Sequence, residues 1–245
     1  MQPTQLILDF GNTYLKYALF NKRTCLSLAR VETHNAAQTV HKLLNTHKCI
    51  TRAIVSSVQE QVPMAVLQAL QTTKTIHLTH HLKLPFTIGY KTPDTLGVDR
   101  LALVAAATLH YPKSNVLVID AGTCITYDLL SANNIFLGGV ISPGIHMRYK
   151  ALHNQTGKLP QLQMELPTYS FGTTTKEAMH LGVIQATVFE IEAYIARYSD
   201  GFEDLKVILT GGDTNFLLEK LKNDIFAHSN FLMEGLNYIL ELNSN

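Results

Sequence analysis

L-I-L-D-F-G-N-T, Leu6 to Thr13, is the stretch from which the rest of the chain is read. Leu6, Ile7 and Leu8 form an apolar run that ends in Asp9. Gly11 follows two positions later, then the short polar residues Asn12 and Thr13. The pattern predicts a buried strand running into a tight turn that carries a carboxylate. Gly11 lacks a Cβ, so a bulky anion can approach the backbone there. A carboxylate repels a phosphate unless a metal ion or its waters stand between them, so Asp9 implies a cation.

The stretch recurs. L-V-I-D-A-G-T-C, Leu117 to Cys124, sets Asp120 against Asp9 and Gly122 against Gly11, nearly half a chain later. Each copy continues into a second apolar run, Y-L-K-Y-A-L-F in the first and I-T-Y-D-L-L in the second. One such turn would be ordinary hairpin chemistry. Two in the same setting indicate a duplication, with halves 1–113 and 114–245 meeting near Pro112–Asn115.

The totals agree. A chain of 245 residues accommodates two domains of about 110–130 residues each. Hydrophobic residues make up 46% and charged residues 16%, as in a packed globular protein. The formal net charge of +1 is no electrostatic footprint for nucleic acid. No apolar run reaches a membrane span. M-Q-P-T-Q leads directly into the first strand, so no signal peptide is expected. Cys25, Cys49 and Cys124 are sparse and odd in number, which points to reduced thiols and a cytoplasmic location.

In chain order the first half reads as strands Gln5–Asp9, Tyr14–Phe20 and Cys25–Val31. A helix His34–Thr46, a strand Ile50–Ser56, a helix Val62–Leu70 and a strand Thr75–Leu78 follow, giving βββαβαβ. His77, His80 and His81 cluster in H-L-T-H-H, but no cysteine or carboxylate stands at ligand spacing, so they read as a strand end and exposed loop. Leu84 to Arg100 carries two prolines and two glycines and is a loop. It enters an alanine-rich helix, Leu101 to Leu109. Gly97 makes the entry sharp. Asp99 falls in the first turn, where the helix dipole favours negative charge. A cap alone does not explain why a long proline-bearing loop gathers Tyr90, Asp99 and Arg100.

The second half repeats the meander as Val116–Asp120, Ile125–Leu130 and Asn134–Ile141. Ser142 and Pro143 open a helix toward Leu152. A polar loop leads to a long helix reaching about Tyr198, capped by Thr174 or Thr175 with Glu177 in its first turn. Lys206–Thr210 is a strand. Gly211 and Gly212 follow as a bare turn against which a base or ribose can lie, then a helix Thr214–Lys222. Phe231 to Tyr238 closes the chain as a short strand and helix. No G-x-x-x-x-G-K-[ST], strand-linked G-x-G-x-x-G, G-x-S-x-G or H-E-x-x-H occurs.

Duplicated carboxylate turns and a late Gly-Gly turn resemble the superfamily of acetate kinase, sugar kinases, heat-shock chaperone ATPases and actin. Within it the chain is similar to the type III pantothenate kinases over nearly its whole length. The resemblance rests on D-F-G-N-T-Y-L-K (Asp9 to Lys16), Y-K-T-P-D-T-L-G-V-D-R (Tyr90 to Arg100), I-D-A-G-T (Ile119 to Thr123), G-G-V-I-S-P-G (Gly138 to Gly144) and T-K-E-A (Thr175 to Ala178). It implies an α/β fold of two ribonuclease H-like βββαβαβ(α) domains with an ATP cleft between them. It implies that Asp9, Phe10, Gly11, Asn12, Thr13, Tyr14, Leu15, Lys16 and Thr123 contact ATP. Asp120 then holds a monovalent cation, potassium or ammonium, and Mg²⁺ accompanies ATP. Tyr90, Gly97, Val98, Asp99 and Arg100 line the pantothenate site, Asp99 is the general base, and Thr175 reaches pantothenate across the interface of a homodimer.

The residue chemistry is compatible. Phosphoryl transfer needs charge neutralisation, in-line positioning and an acceptor for the hydroxyl proton. Asp9 with Mg²⁺, Lys16 and backbone donors meet the first need, Asp99 the last, and Arg100 suits a bidentate carboxylate. From chemistry alone Asp120 fits a second Mg²⁺ as well as potassium; the resemblance selects the latter. Two alternatives remain at this level: a ligand-binding accessory factor without catalysis, and a kinase of another small alcohol. The presence of Asp9, Asp99 and Asp120 together argues against the first.

Overall fold

The computed structural model describes residues 4–59, 61–221 and 224–244. The chain forms two compact units. Unit 1 comprises Met1–Pro112, Asn134–Phe136 and Asn230–Asn245; unit 2 comprises Lys113–Asn133 and Leu137–Ser229.

In unit 1 the elements run β1 (Thr4–Phe10), β2 (Tyr14–Asn21), β3 (Thr24–Glu32), α1 (Ala36–Thr46), β4 (Ile50–Ser57), α2 (Met64–Ala69), β5 (Lys74–His77), β6 (Thr87–Ile88) and α3 (Val98–His110). The main sheet has the order β3-β2-β1-β4-β5. β1 pairs antiparallel with β2 and parallel with β4, which pairs parallel with β5. Every residue of β1 is buried. A central strand covered on both faces has no polar side, which is why Leu6–Leu8 reads as a run. Leu6, Leu8 and Phe10 pack with Val40 of α1 and Val66 of α2. Each such side chain contributes about 1.5–3 kcal/mol by leaving water.

Unit 2 contains β7 (Val116–Ala121), β8 (Cys124–Leu130), most of β9 (Ile135–Pro143), α4 (Ile145–Asn154), α5 (Thr175–His180), α6 (Ala186–Ser199), β10 (Lys206–Thr210), α7 (Thr214–Leu218) and β11 (Ile225–Ala227). Its strands take the order β9-β8-β7-β10-β11. Position for position this is the order of unit 1, with β7 and β10 in the places of β1 and β4. β7 pairs antiparallel with β8 and parallel with β10. The duplicated α/β architecture expected from the repeated turn is thus present in the strand order. Leu117, Ile119 and Ala121 pack against Tyr149, Val183, Val188 and Ile191.

α8 (Phe231–Leu242) belongs to unit 1 and packs on α3. Gly235 presses onto Ala102 and Ala106; any Cβ there would collide with the Ala102 carbonyl. α3 is buried from Arg100 to Ala107, and its alanines keep it thin enough for this approach.

Several element boundaries differ from expectation. α3 begins at Val98, three residues before Leu101, because Gly97 already serves as its N-cap. Ser142 and Pro143 end β9, and Gly144 caps α4. Phe231 opens a helix directly, since Phe231, Leu236, Ile239 and Leu240 are buried at helical spacing. The last strand lies earlier, at Ile225–Ala227. α7 ends at Leu218, and Lys222 lies outside the described residues. α5 and α6 are joined by a π-helical turn, Leu181–Gln185, making one interrupted helix of the expected length.

Candidate active site

β1 delivers Asp9 as its penultimate residue. Strand register then decides the neighbours: Lys16 on β2 and Ser56 on β4. Asp9 is 6% exposed, and Ser56 Oγ donates to its Oδ1 at 2.9 Å. Burial pushes the Asp9 carboxyl up to about 6, with Lys16 and Ser56 acting against the rise and the nearby Asp99 adding to it. The rise comes chiefly from desolvation, and a desolvated carboxylate oxygen is a hard donor that fits Mg²⁺. Beyond it Gly11 N–H donates to the Tyr14 carbonyl at 3.0 Å, and Gln59 Nε2 donates to the Gly11 carbonyl at 2.6 Å. Asn12, Thr13, Tyr14 and Lys16 are exposed, whereas Phe10 and Leu15 are fully buried. Phe10 and Leu15 therefore offer a ligand backbone only. Arg30 lies over the Tyr14 ring, 5.0 Å from its centroid.

Asp99 stands in the first turn of α3. Its Oδ1 accepts from Arg100 N–H at 2.9 Å, and a Cβ on Gly97 would stand 2.6 Å from the same oxygen. Glycine at 97 is what lets the carboxylate fold back over the helix start. Val98 beside it is half-buried. Arg100 is 4% exposed. Its guanidinium lies 5.7 Å from the Tyr90 ring centroid and 5.6 Å from that of Phe136; the two rings stack at 6.4 Å and 16°. A cation held against aromatic faces is attracted by their negative quadrupoles. Phe136, at the start of β9, comes to Tyr90 because β6 pairs with Ile135 and Phe136.

In unit 2 Asp120 takes the place of Asp9, with Thr126 opposite on β8 and Thr210 alongside on β10. Gly122 N–H donates to the Cys124 carbonyl at 2.9 Å, and the Thr123 carbonyl accepts from Gly144 N–H at 3.1 Å. Thr123 is exposed and Asp120 half-buried. Gly211, at φ +100°, backs onto Asp120, and a Cβ there would collide with the Asp120 Oδ1 and the Ala121 carbonyl. These oxygens are hard donors, suited to potassium as much as to Mg²⁺. Farther along, Thr174 rather than Thr175 caps α5: Thr174 Oγ1 accepts from Glu177 N–H at 3.2 Å, and Glu177 returns to the Thr174 amide. Thr175 is left exposed.

The structure thus gathers Asp9, Lys16 and Asp99 in unit 1, and Asp120, Thr123 and Gly211 in unit 2. Ser56, Gln59, Arg30 and Phe136 were missed by the sequence reading, and Gly144 stood in a quoted motif without a role. Each reaches its place by strand pairing or loop return from a distant segment. G-G-V-I-S-P-G alone gave a local signal, through Gly144.

The type III pantothenate kinase family matches residues 5–197. The chain belongs to that family. A type III pantothenate kinase of Flavobacterium johnsoniae is 42% identical over 94% of this chain and 95% of its own. That of Flavobacterium psychrophilum is 41% identical over 96% and 98%. Among solved structures, a protein described as a Baf family transcriptional activator from Campylobacter jejuni superposes with a TM-score of 0.67 at 23% identity, covering 98% of this chain and 99% of that one. A ROK family glucokinase from Streptomyces griseus, in complex with glucose and AMPPNP, superposes with a TM-score of 0.55 at 10% identity, covering 98% and 99%. At such identities these two speak for the fold alone. Among the described residues no helix is long and apolar enough to cross a membrane.

Proposed function

We propose that this protein is a pantothenate kinase that moves the γ-phosphate of ATP to the primary hydroxyl of pantothenate. The product is 4'-phosphopantothenate, the first step toward coenzyme A. Membership of the family supports the substrate pair. The observation that carries the chemistry is the buried Asp9 at the end of β1, bonded to Ser56 and opposite Lys16, in the same unit as an Asp99 carboxylate folded back over the start of α3.

In this reading Asp9 and Lys16 hold the charged end of the nucleotide, with backbone and short side chains of Phe10 to Leu15, and Thr123 contributing. Mg²⁺, when bound, neutralises charge on the transferred phosphoryl group. Asp99 accepts the proton of the pantothenate hydroxyl, a role worth about 10²–10⁴-fold. Gly97 keeps its carboxylate folded back, and Val98 and Tyr90 flank the acceptor. Arg100 faces the pantothenate carboxylate from its aromatic cradle, and Thr175, freed from capping, meets the same substrate. Asp120 holds potassium or ammonium. The two carboxylate turns head halves 1–113 and 114–245, the copies of the duplication. The enzyme acts in the cytosol as a homodimer, with the long helix from Thr174 to Tyr198 at its interface. Phe189, 62% exposed, supports that choice, since a large apolar side chain in water favours a partner.

A coupled assay with ATP, Mg²⁺, potassium and pantothenate tests the reading. ADP release that requires pantothenate is the expected result. ADP release that is unchanged when pantothenate is omitted, or that needs another alcohol, overturns it.

A further inference from the structure

The sequence leaves His80 and His81 without a carboxylate at ligand spacing; the fold supplies one. Both histidines follow β5, while Asp94 lies in the short 3₁₀ turn Pro93–Thr95 that leads to Gly97 and Asp99. All three belong to unit 1, and one ligand atom from each lies within 4.8 Å of the others. His80 Nε2 stands 2.8 Å from Asp94 Oδ1. That nitrogen is shielded from solvent, yet it makes no hydrogen bond of acceptable geometry.

At 2.8 Å the fault is one of direction, not distance: the carboxylate oxygen stands off the axis of the ring nitrogen. Two ligands side by side on one ion are placed in this way, each aimed at the ion and not at the other. The His81 ring lies tilted against that of His80, with centroids 3.9 Å apart and 49° between the planes, and one of its nitrogens is within 4.8 Å of the donor atoms of both partners. Donors bound at about 2.0–2.2 Å lie roughly 3 Å apart, and the exposed side chains of His81 and Asp94 can rotate to close that gap. Two imidazoles and one carboxylate favour zinc, nickel or copper over magnesium and calcium, which prefer oxygen alone.

We propose that His80, His81 and Asp94 form a site for a divalent transition-metal ion, with water in the remaining positions. The ion ties the segment after β5 to the turn that feeds α3. It is separate from the cations that accompany the nucleotide and does not depend on the reading of the active site.

The test uses the full-length, metal-stripped protein without nucleotide. Calorimetric titration with Zn²⁺ alone should show stoichiometric binding. His81→Ala and Asp94→Asn should each weaken that binding by about 10-fold or more, with the far-UV circular dichroism unchanged because both side chains are exposed. His77→Ala, a neighbour outside the cluster, should bind as wild type. Cu²⁺ bound to the wild type should show nitrogen hyperfine splitting from two imidazoles, which His81→Ala should reduce to one. No stoichiometric binding, equal binding in wild type and both cluster variants, equal loss in His77→Ala, or an oxygen-only copper spectrum would each overturn the proposal.

Discussion

At the end of β1, Asp9 lies between Lys16 and Ser56; at the end of β7, Asp120 lies between Thr126 and Thr210. The flanking strands are the same, yet the first acid is buried with a cationic neighbour and a hydroxyl bonded to it. The second is half-buried, and its neighbouring hydroxyl, Thr210 Oγ1, bonds instead to the His228 carbonyl at 2.8 Å. The first turn spends three residues, Gly11 to Thr13, between its strands, and the second only Gly122 and Thr123. Duplication preserved the position of a carboxylate and let its surroundings diverge. A buried acid, desolvated and already set opposite a lysine, is suited to a strongly charged partner. A half-buried acid among threonines and carbonyls is satisfied by a weaker one.

The largest effect that would break this comparison comes from Asp99, the second acid of the first turn's neighbourhood. Asp99→Asn should lower kcat by about 10²–10⁴-fold while leaving the thermal melt in place; wild-type turnover would remove Asp99 from the base role. Asp9→Asn should cost about 10²–10³-fold in kcat/KM for ATP, by analogy with loss of one charge-stabilising group. The same variant should be more stable without ligand. The Asp9 carboxyl is raised from 3.8 to about 6 in the folded protein, so between those values the folded form binds more protons than the unfolded one. Stability therefore falls as pH rises through that window, by up to on the order of 3 kcal/mol above it. The gain from Asp9→Asn should be full above pH 6 and vanish below about pH 4, as read by urea unfolding.

Asp120→Asn sharpens the other side. Potassium titration of activity should flatten, with a loss of roughly 10-fold, and Mg²⁺ dependence should stay as in wild type. A parallel loss of Mg²⁺ dependence would mean that the two turns do the same work. The smallest effect concerns Lys16. In wild type, kcat/KM should rise as pH passes about 6, where Asp9 ionises. Lys16→Met removes the charge that opposes the rise, so the midpoint should move to higher pH; an unchanged profile would assign the limb to another group.

Much of this was legible in the sequence because it is local. The apolar runs before Asp9 and Asp120, the glycines after them and the Gly-Val-Asp-Arg entry to α3 are fixed by turn and helix chemistry within a few residues. What escaped depends on pairing across the chain. Ser56 reaches Asp9 through the register of β4, Phe136 reaches Arg100 through β6, and Asp94 reaches His80 across a loop. The strand expected near Phe231 failed for a related reason: a short apolar segment reads alike as strand or helix, and only α3 decides between them.

The seat of α8 carries a consequence for synthesis. The helix that presents Asp99 is completed by residues at the opposite end of the chain, with Gly235 set against Ala102. On the ribosome, unit 2 has all its residues before unit 1 does, so unit 1 is begun before unit 2 and completed after it. Until α8 emerges, an alanine-rich helix waits with one flank bare, which is when a chaperone or a neighbouring nascent chain would find it.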